Sequence, residues 1–289
     1  MAEHGALAQF THRQARRALA AGGRVTAGLR MEPGFLIVGA QRCGTTSFHR
    51  ILNQHPAVLP AGLNKGIHYF DTHYHRGPQW YRAHFPTRAA ATRLARRTGQ
   101  KVSTGEASPY YMFHPLSPQR IAADLPGVKV IVLLRDPVER AHSAHAHELA
   151  RGFETEPFER ALELEESRLD GEVKRIHADP TYVSLAHQHQ AYLARGRYVH
   201  QLRRLEDALG RDNVHVIDFE DLFADFATGM REVLEFLELS DWLPAQVQQR
   251  NARPRSSLPE ALRRELAAQY EEDDERLAAW WGRTPSWRR

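Results

Sequence analysis

Phe35-Leu36-Ile37-Val38-Gly39-Ala40-Gln41-Arg42-Cys43-Gly44-Thr45-Thr46 is the stretch on which the fold turns. Its first four residues form an unbroken apolar run of the kind required by a strand buried on both faces. Two glycines then bracket a turn. From Thr45 onward the apolar residues Phe48, Ile51 and Leu52 recur at helical spacing, behind two hydroxyl side chains suited to a helix start. In a strand, glycine-bounded loop and helix of this kind, successive backbone N–H groups and the helix N-terminus face an anion. The spaced glycine pair alone leaves a plain tight turn open as the alternative.

The loop departs from the nucleoside-triphosphatase form. There the second glycine is followed by a lysine that reaches the terminal phosphates and by a hydroxyl that holds magnesium, whereas here Gly44 is followed by Thr45 and Thr46. Arg42 instead places a permanent cation inside the loop, with five donors for phosphate oxygens and no capacity to act as a base near neutrality. That chemistry suits an anionic donor used without a metal.

Outward from this unit, three more stretches have strand character: Lys101 to Thr104, Val128 to Leu134 and Asn213 to Asp218. Helical spacing fills the intervals, over Ser117 to Asp124, Pro137 to Leu149, Pro157 to Leu169, Val183 to Leu209 and Thr228 to Leu237. Alternating strands and helices predict a single α/β domain, a central parallel sheet flanked by helices, with a helical tail from about Leu258 that carries Trp280, Trp281 and Trp287. Residues 1–33, Arg- and Ala-rich with weak apolar content, read as an N-terminal arm preceding a domain of residues 34–289. The run Val130–Leu134 ends in Arg135-Asp136-Pro137, followed by Glu139, Arg140 and Ser143, which puts an arginine at the carboxyl end of a second buried strand. Ligands of open α/β sheets bind there. Arg135 and Ser143 can approach one phosphate, or Arg135 can pair with Asp136 or a neighbouring acid as an ordinary strand terminus.

Composition bounds the rest. The chain has 289 residues, 42% of them hydrophobic and 26% charged, which excludes a disordered, collagenous or coiled-coil protein. Its formal net charge of +4 is dispersed among many acids, which suits local anion sites and not a nucleic-acid face. Apolar runs fall far short of the roughly 20 residues that cross a bilayer, and no signal-like block precedes a cleavage site, so the expected compartment is the cytoplasm, with no membrane partner. A single cysteine, Cys43, rules out any intrachain disulfide.

Four stretches taken together carry a resemblance: Phe35–Thr46, Lys65-Gly-Ile-His-Tyr-Phe-Asp71, Gly105-Glu-Ala-Ser-Pro-Tyr-Tyr111, and Val132-Leu-Leu-Arg-Asp-Pro-Val-Glu-Arg-Ala141 with Ser143. In this order they resemble the sulfotransferases that use 3'-phosphoadenosine 5'-phosphosulfate (PAPS), and are similar to the branch holding the heparan sulfate sulfotransferases and their bacterial relatives. Tyr192–Tyr198, Phe219–Leu222 and Phe236–Leu239 extend the likeness over residues 34–289. The resemblance implies a P-loop-like sulfotransferase fold, PAPS as donor and PAP as product, without a metal. It implies Arg42, Cys43, Gly44, Thr45, Thr46 and Ser47 around the 5'-phosphosulfate, Arg135 and Ser143 on the 3'-phosphate, and a small-molecule or saccharide acceptor. The sequence departs from the family at three points. Arg42 stands where a lysine is usual, Gly66 where the heparan branch has its carboxylate base, and Ala107 where that branch has a lysine.

Sulfuryl transfer needs in-line approach, a base for the acceptor proton, and cations to offset charge on the leaving oxygen. Arg42 serves the last need. With a carboxylate absent at Gly66, His68 is the leading base, since an imidazole titrates near cellular pH and the family motif turns this residue toward the donor sulfur. Glu106, expected to follow a strand and precede the Ser108-Pro109 turn, is the second base candidate, or else a structural acid that caps backbone N–H groups. Lys65 either helps neutralise the sulfuryl group or sits in solvent, and Asp71 orients His68 or contacts the acceptor. Cys43 is either a reactive thiol at a helix start or a compact filler of the loop. His142 and His145 share a helix face without a third ligand at diagnostic spacing, which reads as a solvated or acceptor-cleft helix and not a metal site. Tyr74, Trp80, Tyr81, Tyr110 and Tyr111 are candidates for an acceptor cleft, with core packing as the alternative. Two competing functions stay open at this point, a magnesium-dependent kinase using the same loop and a non-catalytic protein that binds adenosine bisphosphate.

Overall fold

Phe35–Gly39 (β1) lies between Gly105–Ala107 (β2) and Lys129–Leu134 (β3), and Val214–Asp218 (β4) adds to the far side of β3, giving a parallel sheet of order β2-β1-β3-β4. The computed structural model describes residues 25–62, 66–245 and 257–289, so the first 24 residues of the N-terminal arm and Lys65 lie outside the described residues. All five residues of β1 are buried, as their unbroken apolar run requires. Each such aliphatic side chain contributes about 1.5–3 kcal/mol by leaving water.

The helices are Thr45–Leu52 (α1), Pro78–Arg82 (α2), Arg88–Thr98 (α3), Ser117–Asp124 (α4), Pro137–Leu149 (α5), Phe158–Leu169 (α6) and Glu172–Ala178 (α7). They continue with Leu185–His189 (α8), Tyr198–Leu209 (α9), Phe219–Ala224 (α10), Phe226–Phe236 (α11), Glu260–Gln269 (α12) and Glu271–Trp281 (α13). The main core joins the four strands to α1, α9 and α11, and a second cluster gathers Val138, Phe158, Tyr192, Leu266 and Tyr270 beneath α5, α6 and α12.

The strand order positions the site. From β1 the chain crosses to β2 on one side, then returns to β3 on the other, so β1 and β3 are neighbours whose connections lead apart. This is the switch point where an open parallel sheet leaves a crevice at its carboxyl edge. The Gly39–Gly44 loop and Arg135 both emerge there.

Three expectations need correction. The strand expected at Lys101–Thr104 forms at Gly105–Ala107, because pairing is set by β1, whose Phe35, Leu36 and Ile37 stand against Gly105, Glu106 and Ala107. Glu106 therefore lies within the strand and not after it. The helix expected over Val183–Leu209 is broken into α8, a short 3-10 turn at Ala194–Gly196, and α9. Its break has a local cause: the Leu193 and Ala194 amides are taken by the Glu165 carboxylate at 2.7 Å each, and a side chain at Gly196 would overlap the Tyr270 hydroxyl. Finally, the histidine face of α5 is not solvated: His142 and His145 are buried against Phe158, and His145 Nε2 lies 2.8 Å from the Glu156 carbonyl oxygen.

Candidate functional site

Two glycines shape the phosphate-type loop for different reasons. A Cβ at Gly39 would overlap the Met112 side chain, while Gly44 has φ of +77° and lies against the Phe219 ring, so a side chain there meets both backbone strain and a steric block. Between them Arg42 itself adopts φ of +72°, a left-handed conformation that costs a non-glycine residue about 1–2 kcal/mol. Its guanidinium Nε donates to Ser143 Oγ at 3.1 Å, which joins two motifs 101 residues apart in the chain. Helix α1 starts immediately after Gly44, and its first-turn residues Thr45 and Ser47 are buried beside the loop.

Gln41 fixes the loop from the other side. Its amide nitrogen donates to Glu148 Oε1 at 3.1 Å, and its carbonyl oxygen accepts from Arg195 Nη1 at 2.7 Å. Sequence reasoning met Glu148 only beside the α5 histidines and Arg195 only within the Tyr192–Tyr198 stretch, and gave neither these two nor Gln41 a part in fixing the loop. The position of Gln41 inside the loop was a signal, and so was Arg195 within Tyr192–Tyr198, but the pairing was not, since the partners of Gln41 lie 107 and 154 residues away. The Cys43 thiol is fully buried, and burial pushes it up to about 11, against the lowering effect of Arg140, Tyr198 and Arg135. Those surroundings make it the compact filler and not a reactive thiolate.

Arg135 leaves the end of β3 and is held by acids. Its Nη2 lies 3.6 Å from Glu139 and its Nε 3.4 Å from Glu220, with the guanidinium 5.9 Å from the Phe219 ring centroid. Asp136, the neighbour considered as its partner, instead caps α5 by accepting from the Val138 and Glu139 amides. Burial raises the Glu220 carboxyl above its usual range, with Arg135 opposing and Asp218 adding to the rise. Arg42 and Ser143 thus meet directly, and Arg135 reaches the same carboxyl edge with its charge engaged by two carboxylates.

The second half of the site lies at Gly66–Asp71, which belongs to no helix or strand. His68 Nδ1 is 2.8 Å from Asp71 Oδ2, with the carboxylate fully buried and the imidazole 33% exposed. Burial by itself would raise the Asp71 carboxyl, but the charge and hydrogen bond of His68 and the Thr72 amide outweigh it and hold that carboxyl below its usual range. Gly66 has φ of +77°, and a Cβ built on it would stand 3.0 Å from His68 Nε2. The imidazole therefore occupies the space next to position 66 that a longer side chain would enter. From α4, Arg120 Nη1 donates to the Phe70 and Asp71 carbonyls at 2.9 Å each, and Ser117 Oγ donates to Phe70 at 3.0 Å.

Glu106 sits behind this turn at 1% exposure. Its carboxylate accepts from the Tyr111 hydroxyl at 2.6 Å and the Ser108 hydroxyl at 2.7 Å. Burial raises its carboxyl above the usual range, against the lowering effect of those two hydroxyls. Of the aromatic residues considered for an acceptor cleft, Trp80, Tyr81, Tyr110 and Tyr111 are core, and Tyr74 alone is partly exposed. Tyr69 and Tyr74 both donate to Asp124, which binds the cluster to the end of α4. Among the described residues no cluster of three or more His, Cys, Asp or Glu is arranged to hold a metal, and no helix is long and apolar enough to cross a membrane.

The sulfotransferase-domain family profile matches residues 32–262. The chain belongs to the sulfotransferase family. A crystallised sulfotransferase from Alicyclobacillus acidocaldarius is 32% identical, with a TM-score of 0.66, covering 90% of this chain and 100% of that one. The membrane-associated sulfotransferase kil1 of Dictyostelium discoideum is 35% identical over 113 residues, 39% of this chain and 22% of kil1. The human bifunctional heparan sulfate N-deacetylase/N-sulfotransferase 2 is 37% identical over 128 residues, 42% of this chain and 13% of that enzyme. These curated relatives are matched over less than a quarter of their own length. Membership of the sulfotransferase family fits the α/β sheet with its loop and arginine at adjacent strand ends, and makes the chain a transferase, not a magnesium kinase.

Proposed function

We propose that this sulfotransferase moves the sulfuryl group of PAPS to a hydroxyl or amine of a saccharide or small molecule, releasing PAP. The observation that carries the reading is the Arg42–Ser143 hydrogen bond at the carboxyl edge of β1 and β3, in a chain of this family. Arg42 and the backbone amides from Cys43 to Ser47 would cradle the 5'-phosphosulfate, where helix start and loop offer N–H donors. Arg135 and Ser143 would take the 3'-phosphate, with phosphate oxygens replacing the Glu139 and Glu220 carboxylates around the guanidinium. The family donor fits this donor set, which is cationic and amide-rich and needs no metal to meet it.

For the acceptor, His68 is the base. Asp71 holds its Nδ1, and Nε2 is proposed as the atom that receives the proton while the acceptor oxygen or nitrogen bonds to sulfur and the bridging oxygen leaves with PAP. Asp71 also stabilises the imidazolium so formed. Gly66 supports this assignment, since a glycine offers no carboxylate and leaves room for the ring. Lys65, three residues before His68, is proposed as a cation toward the sulfuryl oxygens, and the protein is proposed to work in the cytoplasm.

Sulfur-35 PAPS incubated with a panel of saccharide and phenolic acceptors tests the function, with EDTA present throughout. Label transferred to an acceptor in stoichiometry with PAP supports it. Phosphoryl transfer from ATP that stops with EDTA, or PAP binding without transfer to any acceptor on a broad panel, would replace it.

A further inference from the structure

Three consecutive backbone amides pass through the turn that carries His68, and all three end on one carboxylate. The Ile67 N–H donates to Glu106 Oε2 at 3.3 Å. The His68 N–H donates to Ser108 Oγ at 3.1 Å, and that hydroxyl donates onward to Glu106 Oε2 at 2.7 Å. The Tyr69 N–H donates to the Tyr111 hydroxyl oxygen at 2.8 Å, and that hydroxyl donates onward to Glu106 Oε1 at 2.6 Å. Tyr81 adds a further donor to Oε1 at 3.3 Å.

This arrangement answers two physical demands at once. A carboxylate buried to 1% exposure is costly unless its lone pairs are met, and here three hydroxyls and an amide meet them. The turn, for its part, holds His68 at φ of +55°, a strained backbone that persists only where its surroundings over-determine it. Both oxygens of Glu106 are committed inward, and neither is open to an acceptor. The anchor is also rigid relative to the donor loop: Glu106 stands opposite Leu36 on β1, three residues before Gly39.

We infer that Glu106 is the positioning residue of the active site, acting through His68 with Ser108 and Tyr111 as its two relays, and is not the group that accepts the proton. The inference rests on the sulfotransferase reading above. It makes β1 the common reference for both halves of the site, because one strand launches the phosphate loop and its neighbour fixes the imidazole. In-line transfer needs that distance held, since misplacement of about 1 Å costs on the order of a hundredfold in rate.

Ser108→Ala and Tyr111→Phe each remove one relay and leave every proposed acid and base in place. Each is expected to lower kcat for transfer from PAPS about tenfold, and the pair about a hundredfold, with PAP affinity by calorimetry within about twofold of wild type. Glu106→Gln is expected to match the pair while an acidic limb persists in the kcat–pH profile, because the proposed base His68 is retained; loss of that limb overturns the inference. Near-wild-type kcat in both relay variants alongside an inactive Glu106→Gln overturns the inference and makes Glu106 the base. Hydrogen exchange reads the cradle without turnover: the Ile67, His68 and Tyr69 amides should exchange faster in the variants while β1 stays protected. Unchanged exchange at those amides overturns the inference whatever the activity. Faster exchange in a protein whose wild type transfers no sulfuryl group keeps the cradle and removes only the reaction assigned to it. If Glu106→Gln does not fold, the two single-relay variants carry the test.

Discussion

Between Gly39 and Ser47 the proposed donor side is shaped mainly by backbone running directly out of β1 into α1, with the Gln41 clamp beside it, whereas the turn at His68 belongs to neither helix nor strand and hangs from side chains of α4 and of the Glu106–Tyr111 segment. The first region carries its charge in place, on Arg42 within the loop and on Arg135 at the tip of β3. In the second, the proposed base and the groups that fix it come from three stretches of chain. A site launched by backbone keeps its shape when one side chain is lost and forfeits mainly the binding energy of that side chain. A site hung from side chains forfeits geometry, and with it rate.

The largest expected effect follows from that difference. His68→Ala should lower kcat by about 10²–10⁴-fold, the usual worth of a general base, with PAP affinity by calorimetry nearly unchanged. Full turnover in this variant would move the proton to another group and erase the contrast between the two halves.

Arg135→Ala should act in the opposite sense. Loss of a charge-assisted partner for a phosphate is worth about 1.5–3 kcal/mol, so PAP affinity should fall about ten- to a hundredfold, read by calorimetry at fixed salt. The variant also leaves Glu139 and Glu220 beside the vacated position, and their repulsion of phosphate adds to the loss. Unaltered PAP affinity would detach Arg135 from the donor site.

The contrast also explains what could be read from the sequence. β1, its glycine loop and α1 were legible because a buried strand, a turn and an amphipathic helix each leave a local pattern, and Arg135 was legible as a cation ending an apolar run. The strand at Gly105–Ala107 was misplaced because three small or acidic residues gain strand character from pairing with β1 and not from their own composition. The clamp on Gln41 and the cradle on Glu106 left no pattern, since each joins groups that only the folded sheet brings together. The histidines of α5 looked solvated by composition, yet the second core buries them against Phe158.

A smaller effect tests whether the loop's backbone shape is what the donor side depends on. Gly44→Ala forces a Cβ into the left-handed region and against Phe219, which should destabilise the fold by about 1–3 kcal/mol, measured by urea denaturation. An equally stable variant would mean that the loop relaxes easily, and that the shape of the donor side is not fixed by its backbone.

The smallest expected effect concerns the acid dependence of the hung turn. Asp71 is depressed in the folded protein: burial pulls its carboxyl upward, but the His68 charge and hydrogen bond and the Thr72 amide outweigh that pull. A depressed carboxyl stabilises the fold fully above its unfolded value, about 3.9, and that stabilisation is lost as pH falls through the lower folded value. In Asp71→Asn the amide cannot titrate, so the variant should melt below the wild type near pH 6, and the gap should narrow as pH drops below the unfolded carboxyl value. Thermal melts from pH 6 to pH 3 at constant ionic strength measure this directly. A gap that stays constant across that range would show that the His68–Asp71 contact contributes no charge-dependent stability. The turn would then be held by its backbone donors and the α4 clamp alone, and the two halves of the site would differ less than their construction implies.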